Sequence, residues 1–274
     1  MKPQEIVNLA LDYFYGKDDS MAEYRGYTHS QDYSKAFELF QEAAKKRKSV
    51  AYMYLGRMYR DGLGIEKNYD LAKKWFTRAD KSGHEFAILD ISTIDNMIGA
   101  ENGDLEAMWK LANGYMEGFH ISLDVNEALR WYRTAAENGH VKSQESLGYI
   151  YYKGKGVPLN IPEAIRWFEL AAEEYSSMAN YFLGCIYLRG KGVEKDIDLA
   201  EDYLDSSDEF GTTDLLNAIR LMRASEKGDK QAQRDLAFEY ATSEALGYDW
   251  SEAARLLKLA IAPKEITSAH KIIA

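Results

Sequence analysis

The chain has one cysteine and four prolines in 274 residues, and it lacks any long unbroken apolar run. The single thiol, Cys185, can form neither an intrachain disulfide nor a zinc site by itself. A helix that crosses a bilayer needs about 20 consecutive apolar residues, and charged side chains interrupt every stretch before that length. Glu5 and Asp12 break the N-terminal segment MKPQEIVNLALDYFYG, where a signal peptide needs a continuous apolar core. No membrane association is therefore expected, and a reducing cytoplasm is the expected location. Cations are outnumbered: 34 Lys and Arg face 44 Asp and Glu, for a net charge of −10. Such a surface repels phosphate backbones, so nucleic acid is not an expected partner. The scarcity of proline argues against a loop-rich architecture, whereas 46% apolar residues suffice for a folded core.

What the sequence does have is internal repetition. Four segments align: YLGRMYRDGLG from Tyr54, KLANGYMEGFH from Lys110, SLGYIYYKGKG from Ser146 and FLGCIYLRGKG from Phe182. The small residue after Leu (Gly56, Ala112, Gly148, Gly184) serves as reference. Three positions later comes Tyr59, Tyr115, Tyr151 or Tyr187, and six positions later Gly62, Gly118, Gly154 or Gly190. An alanine recurs at sixteen (Ala72, Ala128, Ala164, Ala200) and an aromatic at nineteen (Trp75, Trp131, Trp167, Tyr203). From Ala112 to Gly148 and on to Gly184 the step is 36 residues each time.

Weaker copies flank this series. The first keeps Leu9, Ala10, Tyr13 and Gly16 with a delayed Ala36; the last keeps Leu236, Ala237, Tyr240 and Ala253. Two steps are longer, and the extra residues resemble one another: IGAENGDLEA from Ile98 and MRASEKGDKQA from Met222. Each is expected to add a helix, ending at Gly103 or Gly228. The boundaries read as one array over 1–274, with repeats at about 4–49, 50–84, 105–140, 141–176, 177–210 and 230–263. The inserted helices fall at about 85–104 and 211–229.

Each unit reads as two helices. Ala51, Leu55, Met58 and Tyr59 share one helical face. Glycine, which accepts the left-handed conformation, then ends the first helix. The second helix is expected to start at an N-cap two residues beyond the loop: Ser34, Asp70, Asn126, Asp198 and Ser251, with Asn160 serving where Pro162 displaces it. It runs to Gly83 or Gly139 in the second and third units.

The signature Leu-Gly-x-x-Tyr-x-x-Gly-x-Gly, followed by Ala-x-x-Trp and Ala-Ala-x-x-Gly, resembles that of the Sel1-like repeat family, relatives of the tetratricopeptide repeats. The resemblance extends from about Gln4 to about Pro263, and Ser146 to Glu173 shows nearly every element. It implies an all-α fold, a right-handed superhelical α/α solenoid of helix-turn-helix repeats. It also implies an adaptor or scaffold for other proteins, often bacterial. Secreted, cysteine-rich members carry a disulfide in each repeat, which this chain cannot.

A two-helix repeat must stack on its neighbours to bury its apolar face, so Trp75, Trp131 and Trp167 read as packing residues. Function is then expected where repeats differ. Positions −3, +1 and +4 about the reference lie opposite the shared face. In this family the first helices usually line the concave surface, so the resemblance places these positions on a partner-binding face. The expected contacts are Met53, Arg57, Arg60, Trp109, Asn113, Tyr149, Tyr152, Tyr181, Leu188 and Phe238. Their aromatic and apolar members would anchor a protein or peptide, with Arg57 and Asn113 setting register and Arg57 and Arg60 meeting a carboxylate. The competing reading is that the inserted helices cover this stripe.

Catalytic chemistry is not expected. The five histidines are at 29, 84, 120, 140 and 270, and none pairs with another His or Cys at metal-ligand spacing. The Gly-x-Gly turns lie between helices, without the preceding strand of a dinucleotide site. No cofactor, no metal and no catalytic residue is assigned. Cys185 reads as a small buried side chain rather than a reactive thiol. The expected role is non-enzymatic binding of a protein or peptide, with a basic target favoured by the net charge. An inhibitor or immunity-type protein that neutralises a toxin or enzyme is the alternative, an enzyme hidden in the inserts a weaker one. Self-association through Thr267–Ile273 is a further option.

Overall fold

An apolar stripe on one helix has to be covered by another, and in this chain each repeat supplies that cover itself. The computed structural model describes residues 1–243 and 246–262, which are all-α; Thr267–Ile273 lies outside them. Two compact units divide the chain, Met1–Asn138 and one beginning at Gly139.

In the first unit α1 (Pro3–Tyr15), a short α2 (Ala22–Arg25) and α3 (Tyr33–Lys45) form the opening repeat. Next come α4 (Ser49–Asp61) with α5 (Tyr69–Asp80), then α6 (Ala87–Glu101), then α7 (Leu105–Glu117) with α8 (Val125–Glu137). Helix α1 packs on α3, α4 on α5 and α7 on α8, while α6 is packed between α5 and α7. The second unit repeats the scheme with α9 (Val141–Lys153) on α10 (Ile161–Glu173) and α11 (Ser177–Arg189) on α12 (Ile197–Asp205). There α13 (Thr212–Glu226) lies between α12 and the last pair, α14 (Lys230–Thr242) and α15 (Trp250–Ile261). Helices α6 and α13 thus occupy the two inserted stretches.

The first helices end at Gly62, Gly118, Gly154 and Gly190 in left-handed conformation. The chain then folds back through a repeated clasp, in which the amide at +12 donates to the carbonyl of the recurring tyrosine. The bonds are Asn68 to Tyr59 at 2.8 Å, Asp124 to Tyr115 at 2.9 Å, Asn160 to Tyr151 and Asp196 to Tyr187, both at 3.0 Å. The side chain of that same +12 residue accepts from the first turn of the second helix. The N-caps are therefore Asp32, Asn68, Asp124, Asn160, Asp196 and Asp249. This corrects the expected caps Ser34, Asp70, Asn126, Asp198 and Ser251, which lie two residues inside the helices; Asn160 is where it was expected. Each cap satisfies backbone donors that the helix leaves open, worth about 1 kcal/mol.

The hairpin closes on the reference glycine. A Cβ on Gly56 would come within 2.6 Å of the Phe76 ring, and one on Gly148 within 2.5 Å of Phe168. The residue that fills the repeat is thus the one at twenty, Phe76, Tyr132, Phe168 and Leu204, each buried. At nineteen Trp167 is buried, whereas Trp75 and Trp131 are half-buried with Arg78 and Arg130 lying over their rings. In the last repeat the register differs: Leu256 is buried at nineteen and Leu257 exposed at twenty.

Candidate functional site

The ten side chains expected to face a partner do not share one environment. Met53, Arg60, Tyr152 and Leu188 are buried. Arg57, Trp109, Asn113 and Tyr181 are half-buried, and Tyr149 and Phe238 are exposed. The corrections concentrate at +4, where Arg60, Met116, Tyr152 and Leu188 all point inward. Each of three has an identified cover. Helix α6 brings Asp90 onto Arg60, Phe182 of α11 lies against Tyr152, and Leu188 joins Leu215 and Ile219 of α13 in one core. Met53 packs with Phe76 and Ile94, again an α6 residue. The inserted helices therefore close much of the face that the repeat pattern left open, and at Tyr152 the next repeat does so. Cys185 is buried too, and burial pushes its thiol pKa up, which makes it a poor nucleophile.

In the first unit this closure creates a polar cluster that the sequence reading did not find. Helix α4 presents Arg57 and Arg60 one turn apart, α6 presents Asp90, and the loop before α8 presents His120. Arg60 uses four of its five N–H donors inside the molecule. Its Nε and Nη2 donate to Asp61 at 2.7 and 2.8 Å, and Nη1 donates to Asp90 Oδ1 at 3.3 Å and to the His120 carbonyl at 2.6 Å. With the side chain buried and four of its five N–H donors committed inside the molecule, Arg60 is removed from that expected role.

Asp90 is wholly buried, and its Oδ2 has no hydrogen-bond partner among the described residues; His120 Nδ1 stands 3.6 Å away. Burial raises the Asp90 carboxyl above its ordinary pKa, against the pull of Arg57, Arg60 and His120. His120 Nε2 is likewise buried and unpaired. Its ring is held edge-to-face by Phe119 at 4.1 Å, with Phe86 at 6.2 Å on another side. Those two phenylalanines are 58% and 61% exposed, so the ring cluster opens to solvent.

His120 occupies the position eight after the reference, where three other repeats place Gly64, Gly156 and Gly192 with φ between 70° and 76°. Glycine is needed there because a Cβ on Gly64 would sit 2.7 Å from the Tyr33 backbone and one on Gly192 2.9 Å from Ile161. His120 keeps the positive φ, 59°, which costs a non-glycine residue roughly 1–2 kcal/mol. The substitution was visible in KLANGYMEGFH as a departure from Gly-x-Gly, the one signal that pointed here.

Arg57 is the cation left over. It lies over the Tyr54 ring at 5.5 Å from the centroid and donates no hydrogen bond to any described residue. Tyr54 itself is fixed by a 2.9 Å bond to the Tyr15 hydroxyl. Arg57 and His120 border two cavities. One, about 440 Å³, is walled by Val50, Met53, Tyr54, Phe86 and Phe119; the other, about 530 Å³, by Phe14, Tyr15, Tyr33, Tyr115 and Ile121. This arrangement has the parts of a recognition surface: an apolar wall, an ordered cation and buried polar groups.

Elsewhere the expected contacts are more dispersed. Asn113 accepts from the Tyr132 hydroxyl at 2.6 Å, which ties it to its own hairpin. In the second unit Tyr149 and Tyr181 both contact the Phe182 ring, and burial pushes the Tyr181 phenol up to about 12. Among the described residues no three His, Cys, Asp or Glu side chains are grouped to hold a metal ion. No described helix is long and apolar enough to cross a membrane.

A family model for the Sel1 repeat matches residues 7–47, 49–84, 105–140, 141–176 and 177–207, which is more than half of the chain. A 50-residue stretch is 42% identical to the ERAD-associated E3 ubiquitin-protein ligase component HRD3 of Candida glabrata. That stretch is 18% of this chain and only 6% of the relative's length. Among solved structures, the chain is similar to a protective antigen of uropathogenic Escherichia coli strains that displays the same repeat fold. The identity is 23%, the TM-score 0.46, and the match covers 94% of this chain and 61% of that one. A Sel1 repeat protein from Oxalobacter formigenes matches at 24% identity and a TM-score of 0.37, over 94% of this chain and 87% of the other.

Proposed function

Because the chain belongs to the Sel1 repeat family, whose members typically serve as scaffolds for protein interactions, we propose that it is a non-catalytic adaptor that binds a partner protein or peptide. The observation that carries this reading is the pair of exposed aromatics, Phe86 and Phe119, set against His120 at the mouth of the Arg57 cavity. Water gains nothing from two ordered aromatic rings at a surface, whereas a partner side chain can bury them, and aromatics beside an arginine are typical interface anchors. Arg57, Trp109 and Asn113 in the first unit, and Tyr149, Tyr181 and Phe238 in the second, are the remaining proposed contacts. Met53, Arg60, Tyr152 and Leu188 act from within, by holding the helices that present them.

The net charge of −10 favours encounter with a partner of opposite overall charge. A cytoplasmic setting is proposed on the same footing, from the single buried thiol. Affinity capture from native lysate, with the tagged wild type beside a Phe86→Ala/Phe119→Ala variant, tests the function. The variant should keep its helical circular dichroism and melting temperature and lose the captured protein. Capture that is unaffected by the double substitution rejects this site. Absence of any captured protein, with enzymatic turnover detected instead, rejects the function.

A further inference from the structure

We propose that the Arg57 groove recognises one kind of partner sequence: an internal segment in which an acidic side chain is flanked on both sides by bulky apolar residues. This rests on the interaction-module reading above and specifies its ligand. Three observations support it. First, one arginine of the cluster donates no hydrogen bond to any described residue, although its charge also acts on Asp90. Arg60 is spent on Asp61, Asp90 and the His120 carbonyl, so the Arg57 guanidinium is the cation whose donors remain open. A guanidinium already held against Tyr54 loses less freedom on pairing than one loose in solvent, and its planar fork fits a carboxylate.

Second, both cavities offer apolar side chains beside that cation, although Asp61 and Ser122 also line the second. Phe86, Phe119 and Val50 flank it in one cavity, and Phe14, Tyr33 and Ile121 in the other. Because the two cavities share Arg57 and His120, a bound chain can continue in both directions past the cation. A terminal carboxylate would fill one cavity and leave its neighbour empty, so an Asp or Glu within a segment is the better fit. Third, the polar floor is incomplete as it stands: Asp90 Oδ2 and His120 Nε2 are buried without hydrogen-bond partners among the described residues. Such groups are expensive to leave unsatisfied unless a bound molecule or water serves them. The negative field of the whole chain does not oppose this, since it governs encounter while Arg57 governs which residue fits.

The test is direct binding of a library of fluorescein-labelled decapeptides to the full chain at low salt. Each peptide has Glu, Gln or Lys at its centre and Leu, Phe, Tyr or Trp varied on both sides. The expected result is a preference for Glu over Gln of about tenfold or more, the range of a charge-assisted hydrogen bond. Arg57→Gln should abolish that preference with unchanged circular dichroism, and Arg57→Lys should keep part of it. Equal affinity for Glu and Gln peptides overturns the proposal, as does a preference that survives Arg57→Gln. Peptides that bind only with a free C-terminus, and fail when amidated, overturn the internal-segment assignment. Binding that Phe86→Ala/Phe119→Ala weakens but Arg57→Gln leaves intact retains the interaction site and rejects the acidic ligand. Absence of binding by every peptide rejects the proposal, while protein capture by the wild type keeps the adaptor function.

Discussion

Adding a single methyl group at the reference position of the fourth repeat should reverse its usual effect on a helix. Alanine in place of glycine inside a helix stabilises by about 1 kcal/mol, because glycine loses more backbone entropy on folding. At Gly148 that gain meets a wall. The added Cβ would stand 2.5, 2.6 and 2.9 Å from three ring carbons of Phe168, where carbon contacts prefer about 3.5–4.0 Å. The ring cannot slide away, since it is wholly buried and stacks on Phe182 at 5.1 Å with 9° between the planes. Overpacking of this kind costs about 1–3 kcal/mol and more where nothing yields. The upper part of that range, less the helix gain, leaves Gly148→Ala destabilising by roughly 1–2 kcal/mol. In a Phe168→Ala background, itself about 3–5 kcal/mol less stable, the obstacle is gone and the same substitution should stabilise by about 1 kcal/mol. Urea unfolding followed by circular dichroism gives the free energies. Amide exchange along α9 and α10 gives the local response, since repeat arrays can open piecewise. The reasoning fails if Gly148→Ala has the same sign in both backgrounds.

Three further outcomes follow from the geometry. Asp124→Ala should cost about 1 kcal/mol, because its carboxylate accepts from the Asn126 and Glu127 amides, whereas Asn126→Ala should change the urea midpoint little. Burial would raise the Asp12 carboxyl, but bonds from the His29 ring and amide and from Thr28 hold it below its ordinary pKa. Its stabilisation is therefore complete above the unfolded value of about 3.9 and is lost as pH falls through the lower native one. Melting curves at a series of pH values should show Asp12→Ala less stable than wild type near neutrality, with the gap closing in acid. Cys185, sealed in the core with its thiol pKa raised by burial, should stay unmodified by a thiol reagent in the native chain and react completely in denaturant.

How much of this was legible in the sequence depends on whether a contact recurs. The glycine that ends most of the first helices and the alanine at sixteen are written several times over, and periodicity reports them well. The caps were misread by two residues because Asp, Asn and Ser are plentiful near each loop, and only the clasp between the +12 amide and the tyrosine carbonyl selects among them. The large side chain at twenty leaves a weak trace in the sequence because its identity drifts from Phe76 to Tyr132 to Leu204, whereas tryptophan recurs at nineteen. Burial at +4 was hidden for a different reason. Arg60 and Leu188 are covered by α6 and α13, which belong to no repeat and so leave no periodic trace. The Asp90–His120 contact joins an insert to a loop irregularity, and nothing in one-dimensional spacing relates the two.

The irregular histidine also has a practical consequence for anyone seeking a hardier version of this molecule. Reverting position 120 to the glycine of its sister repeats would release the unfavourable backbone conformation and, by ordinary consensus logic, raise the melting point. It would also take away the imidazole that Phe86 and Phe119 grip and the ceiling over Asp90. Thermal robustness and the proposed selectivity are thus set against each other at one residue. A design that averages the repeats would produce a sturdier scaffold with its distinguishing pocket erased.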